Sequence, residues 1–95
     1  MQIKFEYYNV AFKRYGDASW VFAQGEVANK SEKDFNTAVF RITLMDKKLL
    51  MWTGVFKIMG FRKRQTRLFE VPLDGLDYKV LPKMTKYEIY FESGY

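Results

Sequence analysis

Apolar and polar residues alternate with a period of two along most of this chain, the pattern of strands that bury one face and wet the other. From Gln2 to Lys13, Ile3, Phe5 and Tyr7 alternate with Gln2, Lys4 and Glu6, and Val10 and Phe12 continue the strand beyond an irregularity at Tyr8-Asn9. Gly16 and Asp17 mark a turn, and Trp20 to Ala28 forms a second strand. The stretch from Asn29 to Asp34 has no apolar residue and reads as a solvated loop. The third strand, Phe35 to Met45, sets Ala38, Phe40, Ile42 and Leu44 on one face against Thr37, Arg41 and Thr43 on the other. After a turn at Asp46-Lys47-Lys48, Leu50, Trp52, Phe56 and Ile58 share a face of a fourth strand that ends near Met59, broken by Gly60. Thr66 to Leu73 is a fifth strand with Phe69, Val71 and Leu73 inward; Pro72 has no N–H to give and belongs at an edge or at the strand's finish. Asp74-Gly75 opens a connection that includes Pro82 and has room for a short helical turn, and Lys86 to Glu92 is a final strand. The predicted core is Phe40, Ile42, Leu44, Trp52, Phe56, Phe69, Val71 and Ile89.

Ninety-five residues suffice for one core, so residues 1–95 are expected to form a single domain. Six or seven short strands favour an all-β antiparallel sandwich over a five-stranded barrel of the oligonucleotide-binding type. Nine Phe, seven Tyr and two Trp reinforce the strand reading, because rings fit a pleated, half-buried surface.

The absence of both Cys and His removes disulfides, thiolate nucleophiles, imidazole bases and the usual transition-metal ligands. The nearest acid pair, Asp74 and Asp77, reads as turn and capping chemistry. No catalytic residue, cofactor-binding residue or metal ligand is therefore expected, and the chain is read as non-enzymatic. The run from Leu49 to Phe56 is interrupted by Thr53 and Gly54 and falls short of the roughly 20 residues that cross a bilayer, so no membrane insertion is expected. The N-terminal residues lack a signal-peptide pattern. Cytoplasmic localisation is the default expectation, and an extracytoplasmic one applies if the chain is trimmed from something longer.

The central half of the chain resembles the FxLYD family. Gly25-Glu26-Val27-Ala28-Asn29-Lys30-Ser31 is similar to that family's G-x-V-x-N-x-S strand end and turn, and Phe40 to Asp46 is similar to the strand that names it, with Met45 where the family prefers Tyr. Gly54, Thr66, Phe69 and Val71 match the order and spacing of the strands that follow. The basic segment from Gly60 to Gln65 departs from the family's Pro-Gly-Glu type of loop. The resemblance implies an immunoglobulin-like sandwich related to water-stress and cell-envelope modules, mostly of unknown biochemical function and without a catalytic motif.

Two surface features are candidates for function. Lys57, Arg62, Lys63, Arg64 and Arg67 place five cations between residues 57 and 67 with no acid among them, and setting them aside leaves eleven basic and eleven acidic residues; the net charge of +5 thus resides in one hairpin. With Phe61 beside them to stack on a base, these residues could hold a phosphate, a nucleic acid or another anionic ligand, weakly; equally, they could be a solvated tip that blunts an edge. If Val21, Ala23, Gly25 and Val27 face inward, Trp20 and Phe22 face out, and with Met51 and Val55 they could form an apolar patch for a protein partner or for a homo-oligomer. The competing readings are that strand one or Tyr95 covers them, or that the register is off by one residue and Trp20 faces in. The expected function is a binding or protein-interaction module, with nucleic-acid or phosphate binding through the basic hairpin as the alternative.

Overall fold

The computed structural model describes residues 3–95, so the part of strand one assigned to Gln2 lies outside the described residues. Six strands follow in order: β1 (Phe5–Arg14), β2 (Trp20–Asn29), β3 (Phe35–Asp46), β4 (Leu49–Phe61), β5 (Thr66–Asp77) and β6 (Lys86–Gly94), with a 3₁₀ segment, Tyr78–Lys83, between the last two. They form two antiparallel sheets of three, ordered β1-β2-β5 and β4-β3-β6. The chain is all-β, and the apolar faces of the two sheets share one core.

That core follows the alternation. Val21, Ala23 and Val27 of β2 meet Ala38, Phe40, Ile42 and Leu44 of β3, all fully buried. Phe56 stacks on Phe40 from within its own sheet (5.2 Å) and on Phe69 of the opposite sheet (4.7 Å), and Phe5 meets Phe40 edge-on at 4.9 Å. Phe69, Val71 and Leu73 of β5 are buried as their alternation predicts. The irregularity expected at Tyr8-Asn9 is a break in the β1–β2 register between Tyr8 and Ala11, with Asn9 left-handed at φ 55°. Pro72 sits on β5, an edge strand.

Several expectations are corrected. Gly60, at φ 61°, does not end β4 but bends it, and the strand continues to Phe61, which pairs with Phe35. Leu50 faces out, because the β3–β4 register shifts beyond Leu44 and leaves Met51 without a partner. Leu50 then pairs with Met45 on the wet face, while Met51 packs against the core. Trp52 and Ile89 are half-buried rather than buried: Trp52 lies toward the start of β4, before its buried stretch from Phe56, and Ile89 lines an open groove beside Tyr7. Trp52 lies over Gly54, where a Cβ would clash with the indole, and donates from Nε1 to the Asp74 carbonyl of β5 (2.9 Å). β5 does not turn at Asp74-Gly75; it runs on to Asp77 with a register break opposite Trp20–Phe22, and this carries Leu76 into the core. Asp77 does cap the 3₁₀ segment, its side chain accepting from the Lys79 N–H (2.9 Å).

Candidate functional site

The basic segment is not a hairpin. β4 and β5 lie in different sheets, so residues 62–65 form a corner that carries the chain from one layer to the other. A second such corner, from β2 to β3, lies beside it, and Asn29 ties the two together. Its N–H donates to the Gln65 carbonyl (2.9 Å), and its carbonyl accepts from Arg64 N–H (2.8 Å). Its side-chain oxygen accepts from the Ser31 N–H (3.0 Å) and hydroxyl, and its amide donates to the Lys33 carbonyl (2.9 Å). Asn29 and Ser31 are fully buried, which corrects the reading of 29–34 as solvated: a short polar side chain can close an Asx-turn on its own backbone and so enter the interior with its bonds made.

This corner divides the six residues assigned to the basic site. Phe61 is fully buried, packed near Phe5 and Phe40, so no ring is free there to stack on a base. The bend at Gly60 shifts the alternation by one and turns Phe61 inward. Arg67 is half-buried; its guanidinium donates to the Met59 and Gly60 carbonyls (3.1 and 3.4 Å) and fastens β5 to β4. Lys57 stands on the outer face of β4, opposite Val39 of β3. Only Arg62, Lys63 and Arg64 crown the corner, and acids from the neighbouring loop approach them: Glu32 lies 3.5 Å from Arg64, and Asp34 accepts from the Lys63 N–H (2.8 Å). The sequence concentrates the cations, and the fold disperses them and brings counter-charges alongside.

The apolar patch is divided as well. Trp20 and Phe22 lie on the outer face of the β1-β2-β5 sheet, whereas Val55 lies on the outer face of the other sheet and Met51 is turned toward the core. Val55 is exposed opposite Arg41, in the layer away from Trp20 and Phe22. Neither β1 nor Tyr95 covers Trp20; Tyr95 pairs with Thr37, a β3 residue.

What Trp20 meets instead is Tyr15, which stands between β1 and the Gly16-Asp17 turn. The two rings stack at 4.5 Å with 13° between their planes, and Phe22 meets Tyr15 edge-on at 5.4 Å. The β1–β2 turn holds this geometry. Tyr15 N–H donates to the Trp20 carbonyl, and Arg14 donates to the Ala18 and Asp17 carbonyls (both 2.7 Å) while its guanidinium lies 3.8 Å from the centre of the Tyr78 ring. Tyr15 and Trp20 remain 48% and 45% exposed although stacked, so the aromatic surface is fixed in place and still presented to solvent. With Pro72 and Glu70 of β5 they border an open groove of about 270 Å³. A stacked pair loses little side-chain freedom on binding, and Tyr and Trp are favoured at the centres of interfaces.

Among the described residues, no three of Asp, Glu, His or Cys cluster in a way that could hold a metal ion, and no helix is long and apolar enough to cross a membrane. Comparison with protein-family models, with curated proteins and with solved structures finds no match to the chain.

Proposed function

We propose that this chain is a non-enzymatic protein-interaction module that receives a polypeptide partner on the Tyr15–Trp20–Phe22 face. The observation that carries this reading is the exposed stack of Tyr15 on Trp20, held by the Arg14-braced turn and flanked by a groove with one carboxylate, Glu70. An aromatic groove of this kind suits an extended segment that brings apolar residues to the rings and a cation to the acid.

The fold reading that accompanies it is an immunoglobulin-like sandwich. If β1 to β6 are taken as strands A, B, C, C′, E and F, the sheet orders become A-B-E and C′-C-F, the neighbour relations of that architecture. The resemblance to FxLYD modules agrees with it. Phe40, Ile42 and Leu44 of the naming strand are core residues, and Asn29 and Ser31 close the corner.

Panning a random peptide library against the chain tests the functional reading. Enriched peptides should bind the unaltered protein, lose most of their affinity for Trp20→Ser, and keep it for a variant with Arg62, Lys63 and Arg64 all changed to Ser. Peptides indifferent to Trp20, or a tight single-stranded DNA or RNA complex lost in the triple variant and weakening steeply with salt, would favour the phosphate-binding alternative through the corner.

A further inference from the structure

Among the described residues β1, β5, β4 and β6 are edge strands, and an edge offers unpaired backbone groups to any other strand unless something blocks it. Three of the four are blocked or tied. β1 is broken between Tyr8 and Ala11 with Asn9 left-handed, and β5 carries Pro72 and a register break. β4 has the unpaired Met51 and the bend at Gly60, and is fastened to β5 through Trp52 and Arg67. β6 has no Pro, no left-handed residue and no tie to the other sheet's strands by side-chain hydrogen bonds. From Lys86 to Phe91 it pairs with Met45 to Phe40 in unbroken register, and its one irregularity falls beyond Phe91. Its inward row is only partly covered at the same rim: Phe91 stacks on Phe5 (4.9 Å) and Tyr87 meets Phe12 edge-on (5.2 Å), yet Tyr87 stays 42% exposed, Ile89 and Phe91 are half-buried, and a shallow groove of about 450 Å³ runs between β6 and Tyr7 of β1.

The sequence of β6 selects what could pair there. Two copies of one strand pair antiparallel about a two-fold axis perpendicular to the sheet, which keeps inward rows on one side and so must pass through a residue. An axis at Tyr87 would pair only three strand residues, and one at Phe91 would carry every pair but the central one across the irregularity. An axis at Glu88 sets that glutamate against its own copy, and one at Tyr90 sets Glu88 against Glu92; like charges directly opposite are destabilising. An axis at Ile89 sets Ile89 against Ile89, Tyr87 against Phe91 and Glu88 against Tyr90 within the unbroken stretch, and brings Lys86 opposite Glu92, twice, with only Glu92 at the irregularity. Glu92 already accepts from Arg41 on the outer face (2.6 Å), and each Lys86 lies beside Glu88 (3.0 Å), so charges alternate across the seam.

We infer that β6 is a dimerisation edge: two copies of this chain join through antiparallel β6–β6 pairing centred on Ile89, forming one continuous six-stranded sheet. The surface is separate from the Trp20 face, so the two readings stand or fall independently.

Sedimentation equilibrium of the full chain is the test, with a thermal melt of each variant to show that it folds. The unaltered chain and Trp20→Ser should both dimerise. Lys86→Glu and Glu92→Lys, each placing like charges opposite one another at both ends, should each weaken the dimer by about tenfold. An equimolar mixture of the two variants should recover it, because one chain then presents two acids to two bases on the other. The chain contains no Cys, so Ile89→Cys should give a disulfide-linked dimer under mild oxidation. Glu88→Cys should not, its copy lying diagonally about 7–8 Å away, beyond bridging range. A monomer at every concentration, a mixture that recovers nothing, or a dimer lost only with Trp20 overturns the inference.

Discussion

At the scale of single residues, Asn29 joins the sequence to the fold most directly. Its side chain makes three hydrogen bonds inside the molecule and its backbone two more, where the β2–β3 and β4–β5 corners meet. Removing it leaves the Ser31 N–H and the Lys33 carbonyl without those partners. Asn29→Ala should therefore cost roughly 1–3 kcal/mol in chemical denaturation, and a loss below about 0.5 kcal/mol would show that water replaces those bonds without penalty. Tyr7 makes a different prediction. Burial raises its phenol from the ordinary 10.0 to about 12, so the native chain holds that proton where the unfolded chain has lost it. The contribution is fully present below pH 10 and declines as pH rises from 10 to about 12. Comparing unfolding free energies of the unaltered chain and Tyr7→Phe across that range isolates it from the other tyrosines, and the variant should show a shallower alkaline decline.

At the scale of elements, alternation located all six strands and the inward rows of β2, β3 and β5, because those rows face the opposite sheet along most of their length. It lost phase where one residue changes the count. The unpaired Met51 turns Leu50 out, and the bend at Gly60 turns Phe61 in, although Phe61 stands beside three exposed cations in the sequence. At Tyr8-Asn9 the apolar pattern itself breaks and shows the irregularity, whereas at Gly60 the glycine reads as a strand end. Truncations distinguish the two readings of this segment. Phe40→Ala and Phe61→Ala should both cost roughly 3–5 kcal/mol, as for any large ring removed from a packed core. A Phe61→Ala protein that melts like the unaltered chain would place that ring on the surface after all.

At the scale of the whole molecule, the candidate sites were legible as residue types but not as groupings, since these depend on which sheet each strand joins. Trp20 and Phe22 share the outer face of one sheet, but Met51 and Val55 belong to the other, and Tyr15, beside a turn, has no periodicity to mark it as their neighbour. The same pairing of strands sets Glu32 and Asp34 beside Arg64 and Lys63 and gives Arg67 a structural bond, so charge concentrated along the chain is diluted in space. The chain's two tryptophans allow a direct test of the interaction face, because their indole N–H groups give separate signals in a nitrogen–proton correlation spectrum. Trp20 stands on the proposed face, whereas the Trp52 indole is bonded to the Asp74 carbonyl across the β4–β5 edge. Titrating a peptide enriched by panning should shift the Trp20 indole and the amides of Tyr15, Phe22 and Glu70, and leave the Trp52 indole in place. Shifts centred on Arg62 to Arg64, with the Trp20 indole unmoved, would contradict the account.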